Sequence, residues 1–252
     1  MEKKKNIITL CFICLATSLF TIDMGIITIS FSEIENFFST TNYVTSWVLT
    51  VFSISSAIGI ISLGFMSKLF GRKKIYLLGI LGFSLFSSLC GLSSNIEQLL
   101  ICRFFQGYFG SGLIALSQVF VIDIFSKKNR SKAISAWTFG LLAGPVIGPL
   151  LGGFLIEYFN WRFIFFINIP LGLVAFFGLS YFLEAEEPKP SRNINYLSFI
   201  FLSISVACLQ IFLDRGELED WFYSELIIFL FSVSLISLVF FLLTNFNSKN
   251  SL

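Results

Sequence analysis

The sequence predicts an all-α integral membrane protein: six transmembrane helices in one bundle, followed by two further transmembrane helices. Three observations carry that prediction. Of the 252 residues, 56% are hydrophobic and 13% charged, with a mean hydropathy of +0.85, whereas soluble domains carry about 25% charged residues. About 20 apolar residues cross a bilayer as helix, and eight stretches qualify: 7–31, 43–66, 75–94, 98–123, 133–157, 163–183, 195–213 and 223–244. Basic residues also alternate along the chain. With a cytoplasmic N-terminus, the inner connections hold 14 of the 17 lysines and arginines, the outer ones only Arg162 and Arg215, and Arg103 lies inside a span. The positive-inside bias then puts both termini in the cytoplasm.

The first span follows Lys3, Lys4 and Lys5. It is too long for a signal-peptide core, and Thr21-Ile22-Asp23-Met24 offers no small-residue cleavage site, so it reads as a retained helix. Cys11 and Cys14 lie within it without further ligands and read as small apolar packing groups, as do Cys90, Cys102 and Cys208 in later spans. Spans two and three are joined by Gly64-Phe-Met-Ser-Lys68-Leu-Phe-Gly71-Arg72-Lys73-Lys74. Its glycines permit a sharp turn and close helix approach, and its cations can pair with acids at neighbouring helix ends.

Span four carries Arg103, Gln106, Gly107 and Gly110 on one helical face. An arginine at the centre of a span costs about 2.5–3.5 kcal/mol to insert and so calls for a partner or a cavity. Asp23 is the candidate. At 1.5 Å per residue, Asp23 lies ~12 Å and Arg103 ~8 Å from the same membrane face. A snorkelling arginine or a purely structural pair is the competing reading. Span five contains Gly140-Leu-Leu-Ala-Gly144-Pro145-Val-Ile-Gly148-Pro149-Leu-Leu-Gly152-Gly153. Gly140, Gly144, Gly148 and Gly152 share one side, which lets another helix approach backbone to backbone. Pro145 and Pro149 each remove a ladder donor and predict a bend.

After span six, Glu184-Ala-Glu186-Glu187-Pro188-Lys189-Pro190 stops the helix. The chain divides into a bundle over 1–183, a cytoplasmic linker over 184–194, and two helices with a short tail over 195–252. Between spans seven and eight, the acids of the loop from Leu213 to Phe222 read as solvated charges rather than as a substrate or cation site. The formal charge of +2 is spread as orienting loop residues and predicts no nucleic-acid partner. The chain has no histidine, which excludes His-based triads and zinc hydrolases of His type. Gly71-Arg72-Lys73-Lys74 lacks the glycine spacing of a phosphate cradle, so an ATP-driven pump is not expected.

These patterns resemble the major facilitator superfamily, and within it the 14-helix drug:proton antiporters of the EmrB/QacA type. Gly64 to Lys74 is similar to the family's loop motif, although Lys68 stands where an acid or amide is usual. Arg103 to Gly110 is similar to its buried-arginine motif. Asp23-Met-Gly25-Ile-Ile-Thr28-Ile-Ser30-Phe-Ser32 resembles its first-helix motif, with Gly25, Thr28 and Ser32 replacing the usual Thr, Asn and Pro. The glycine run, with Trp161-Arg162 through Asn168-Ile-Pro170-Leu-Gly172, resembles its fifth and sixth helices. The loop Leu213-Asp214-Arg215-Gly216 to Asp220-Trp221-Phe222 resembles the outer loop beside its two extra helices.

The resemblance covers the first eight of 14 helices and implies proton-coupled efflux of lipophilic, often cationic, drugs from a bacterial cytoplasmic membrane. The proton gradient is the energy source, with no cofactor. Asp23 would carry the proton and Arg103 would tune its hold, with Gln106 as a buried polar neighbour. The glycine face would seal the path. Asp123 would pair with Arg72 and Lys73 to hold the inner gate. The implied partners are the bilayer, a small lipophilic substrate, a C-terminal half and a periplasmic adaptor protein. Two alternatives stay open: a non-transporting remnant or assembly partner from a split gene, and an exporter of a metabolite or siderophore.

Overall fold

The structure, a computed structural model, describes residues 2–184 and 196–247. The linker prolines Pro188 and Pro190 and the cations Lys189, Arg192 and Lys249 lie outside the described residues. Among the described residues the elements are α1 (Glu2–Ile29), α2 (Phe31–Phe38), α3 (Asn42–Phe70), α4 (Arg72–Gly91), α5 (Ile96–Ile124), α6 (Lys127–Tyr158), α7 (Phe163–Phe166), α8 (Asn168–Phe182), α9 (Tyr196–Arg215) and α10 (Glu225–Asn247), with a 3₁₀ turn at Trp221–Tyr223. Among the described residues eight helical stretches are long and apolar enough to cross a membrane, α7 and α8 together making the sixth. The predicted spans recur in order, and most extend beyond their apolar runs into capped, polar ends.

The caps follow local chemistry. Thr41 accepts from Val44 N at 3.4 Å to start α3. Asn95 accepts from Gln98 N at 2.8 Å, and Gln98 accepts in turn from Ser94 N at 3.0 Å, a reciprocal cap for α5. Between α3 and α4 stands one residue, Gly71, with φ 87°. A side chain is strained in that conformation, so the single-residue turn calls for glycine. Gly64, by contrast, faces open space, and the close approach expected there is absent.

Helices α3 and α5 pack closely, as do α4 and α5, while α1 lies mainly against α6 and α8. One apolar core joins Ile13, Leu19, Phe52, Tyr76, Phe83, Leu113 and Trp137, and a second joins Ile26, Ile34, Val48, Leu99, Trp161 and Phe165. Apolar burial between helices gains little in lipid, where tails are as apolar as leucine, so close backbone packing must contribute. The α1–α6 crossing supplies it. A Cβ on Gly144 would strike the Thr21 backbone, one on Gly148 would come within 3.0 Å of Gly25 Cα, and one on Gly25 would lie 2.9 Å from Gly144 O. Gly140 and Gly152 continue the same face, against Cys14 and Ile26, whereas Gly153 points to open space. Helix α6 runs unbroken through Pro145 and Pro149. Its other side exposes Phe139, Leu142, Val146, Leu150 and Phe154.

Helices α9 and α10 pair with each other, and α9 rests on α3. Arg215, expected in the outer loop, instead ends α9 and is buried. Its guanidinium stacks 4.0 Å from the Trp47 ring and 4.9 Å from Tyr43, and Nη1 donates to Tyr43 O at 3.3 Å. Glu219 accepts from the Tyr43 hydroxyl at 2.8 Å, so this acid is engaged rather than simply solvated. The aromatic surfaces of α3 favour a guanidinium because it is flat and weakly hydrated.

Candidate functional site

Asp23 sits on α1 opposite Arg103 on α5, at the matched depth expected from helix rise. The two are 3% and 0% exposed, and Arg103 Nη1 donates to Asp23 Oδ2 at 2.5 Å. Gln106, one turn along the same face of α5, donates Nε2 to Asp23 Oδ1 at 2.9 Å and accepts from Arg103 Nη1 at 2.9 Å. Asn168, at the start of α8, donates Nδ2 to Asp23 Oδ1 at 2.9 Å and to Ser87 Oγ at 2.9 Å. The carboxylate thus receives three N–H donors from two other helices. A carboxylate that only accepts is satisfied in its ionised form by such an arrangement.

Further contacts fix the guanidinium. Its Nε donates to Val48 O at 3.4 Å, and its carbon stands 4.2 Å from the Phe52 ring centroid and 5.7 Å from that of Phe165. The Cys90 thiol donates to Gln106 Oε1 at 3.5 Å. Ser87 donates to Phe165 O at 2.8 Å. Two buried polar atoms here have no hydrogen-bond partner: Arg103 Nη2 and Asn168 Oδ1. An unpaired buried polar group costs about 1–3 kcal/mol, and such strain is rarely kept without reason.

Six residues before Asp23, Thr17 marks a second polar layer about 9 Å along α1. Trp137 Nε1 donates to Thr17 Oγ1 at 2.9 Å, Thr17 and Ser117 hydroxyls are 2.9 Å apart, and Tyr76 OH lies 2.6 Å from Ser117 Oγ. Four helices are bolted together by three neutral hydroxyls and an indole N–H. Between the layers lies Phe20, whose ring is 5.1 Å from Phe52 and 6.4 Å from Phe83. The charged pair is therefore walled by aromatic rings toward the basic end of the bundle.

At that basic end, Arg72 Nη1 donates to Asp123 Oδ2 at 2.7 Å. Lys73, expected to share this acid, instead donates to Ser180 O at 2.7 Å and Leu183 O at 2.6 Å. The reason is geometric: it lies one residue further around α4 and meets the unpaired carbonyls at the end of α8, which attract a cation. Sequence reasoning thus paired Asp23 with Arg103, put Gln106 on the same helix face as Arg103 and placed the glycine face. It missed Asn168, Ser87 and the Thr17 layer. An amide two residues before Pro170 inside an apolar span was the available signal for Asn168.

Residues 13–250 match the Major Facilitator Superfamily. The chain is 33% identical over 237 residues to a probable multidrug resistance protein, EmrY, of Escherichia coli, covering 94% of this chain and 46% of that protein. It is 30% identical to the multidrug export protein EmrB of the same organism, covering 99% and 49%. The chain spans about half the length of these curated relatives. Among solved structures, it is similar to an inward-facing bacterial homologue of the human lysosomal transporter Spinster, with a TM-score of 0.62 at 18% identity, covering 93% of this chain and 60% of that one.

Proposed function

We propose that this chain, which belongs to the major facilitator superfamily, forms the N-terminal portion of a proton-coupled exporter of small lipophilic drugs. One observation carries the reading. A carboxylate and a guanidinium, both almost wholly buried, face each other within a bundle of membrane-length helices. Ionisable groups at such depth are costly and mark ion or proton pathways. Asp23 takes up and releases the proton, Arg103 holds the ionised carboxylate between these events, and Gln106 and Asn168 orient it. The glycine face of α6 against α1 seals the path, and Arg72 with Asp123 holds the inner gate. The drug specificity follows the names of the relatives, both of which concern multidrug resistance or export.

Alternating access needs two halves that rock about a midplane site. The reading therefore includes a C-terminal six-helix partner half, both termini in the cytoplasm of a bacterium, and an inner-membrane location where a periplasmic adaptor protein can dock. Dye efflux from cells tests it, with this chain expressed alone and with a separately expressed C-terminal half. Efflux is expected only with both, and collapse of the proton gradient stops it. Asp23→Asn and Arg103→Lys each abolish efflux while the protein stays in the membrane. Unchanged efflux in Asp23→Asn overturns the proton role, and no efflux from any combination favours a non-transporting partner.

A further inference from the structure

We infer that Asn168 is a positioning residue for the proton step: its side-chain amide reverses when Asp23 is protonated. The inference rests on the proton-coupling reading above and adds to it a named moving part on α8. In the arrangement described, Asn168 donates both hydrogens of Nδ2, one to Asp23 Oδ1 and one to Ser87 Oγ, while its own Oδ1 is buried without a partner. The orientation is dictated by charge, since turning Oδ1 toward an ionised carboxylate would set two acceptors against each other.

Protonation of Asp23 at Oδ1 reverses that logic. The new O–H needs an acceptor and faces the Nδ2 that until then served the anion. Gln106 cannot answer, because its Oε1 is held by the Arg103 cation at 2.9 Å and by the Cys90 thiol, and reversal would point N–H at the guanidinium. Asn168 is under no such constraint. A half-turn of its amide breaks the two donated bonds and makes two accepted ones: Asp23 O–H to Oδ1, and Ser87 O–H to Oδ1, the serine proton leaving Phe165 O. The amide then carries its unpartnered group as N–H instead of C=O. Phe165 O gives up its serine donor in the exchange, so the reversed state holds one hydrogen bond fewer and is favoured only while a proton on Asp23 demands an acceptor.

The titratable and charged groups facing Asp23 are few. Helix α5 contributes Arg103, and α4 the Cys90 thiol behind Gln106. Helix α6 presents glycines at this crossing, and α8 presents the neutral amide itself. The amide is thus the neighbour whose polarity can change without moving a charge.

The test is acid-minus-alkaline infrared difference spectroscopy of the purified chain in lipid, with ¹³C-labelled asparagine to identify amide bands. The expected result is a protonated-carboxyl band, lost in Asp23→Asn, accompanied at the same pH midpoint by a side-chain amide band that shifts with the label. That amide band is lost in Asn168→Leu. In Ser87→Ala, which leaves the amide in place, it keeps its midpoint but moves to higher frequency because Oδ1 accepts one bond fewer. A titrating Asp23 band without an accompanying amide change overturns this inference and leaves proton coupling standing. Absence of any Asp23 carboxyl band across the pH range overturns both.

Discussion

Asp23 and Arg103 should show strong energetic coupling, because each is buried in the other's company. Removing one leaves the other charged and unpaired at 3% or 0% exposure, a change that typically costs about 3–5 kcal/mol. Asp23→Asn keeps acceptor and donor near Gln106 and Asn168 but strands the guanidinium. Arg103→Met keeps the volume but strands the carboxylate, and also loses the stack on Phe52 at 4.2 Å and the bond to Val48 O. If the effects were independent, the double variant would lie about 6–10 kcal/mol below the wild type, the sum of two such losses. The double variant has no buried charge, however. It forfeits the hydrogen bonds Arg103 gave to Gln106 and Val48, about 1–3 kcal/mol in total, and the Phe52 stack, a loss shared with Arg103→Met that cancels from the cycle. A coupling energy of at least about 3 kcal/mol follows. Denaturation midpoints of the four proteins, purified in the same detergent at one pH, measure it. Additivity within about 0.5 kcal/mol would refute the idea that the pair is sustained by mutual neutralisation.

Three further outcomes follow from the same geometry. Gly148→Ala should destabilise by about 1–3 kcal/mol through overpacking, because its Cβ would meet Gly25, whereas Gly153→Ala, which faces open space, should be silent; equal thermal shifts for the two would refute the glycine face. Arg215→Gln should loosen α9 from α3 by about 2 kcal/mol, the worth of a desolvated cation–π contact, read as a broadened spin-label distance between those helices; an unchanged distribution would sink the clamp on Trp47. Lys5, 2.8 Å from Glu184, holds that carboxyl below its ordinary value. Because the folded value is the depressed one, the contact stabilises above the unfolded pKa and is lost as pH falls through the folded one. Glu184 is exposed, so the effect on stability is small and screened by salt. The test is carboxyl NMR of the Lys5→Ala variant, where the Glu184 midpoint should rise and a fixed midpoint would contradict the pairing.

Much of the architecture was legible because lipid allows few alternatives. Helix number follows from apolar length, and the Asp23–Arg103 pairing follows from depth, since helix rise converts sequence distance into position along the bilayer normal. The glycine face was legible because i, i+4 spacing leaves one side bare whatever lies against it. What lies against it was not. Gly25, a departure from the first-helix motif, proves to be the matching surface for Gly144 and Gly148, a fact that needs the α1–α6 crossing itself. Thr17, Ser117 and Tyr76 were hidden for another reason. A lone hydroxyl in an apolar helix can always bond its own backbone a turn away, as Thr9 and Ser135 do. Nothing local says which hydroxyl turns outward to a neighbour. Arg215 was placed in the outer loop because nothing local marks its partners, while its flat cation had two aromatic rings waiting on α3.

The bare crossing of α1 and α6 has a mechanical consequence. Helices that interdigitate settle into preferred registers, each a small energy well set by ridges and grooves. Here α6 has no teeth at Gly144, Gly148 and Gly152, and α1 answers with a bare Gly25 between Thr21 and Ile26, so few rotamers must reset when one backbone slides past the other. The joint behaves as a plain bearing: tight enough to exclude a water molecule, smooth enough to shear, and jammed by one misplaced methyl.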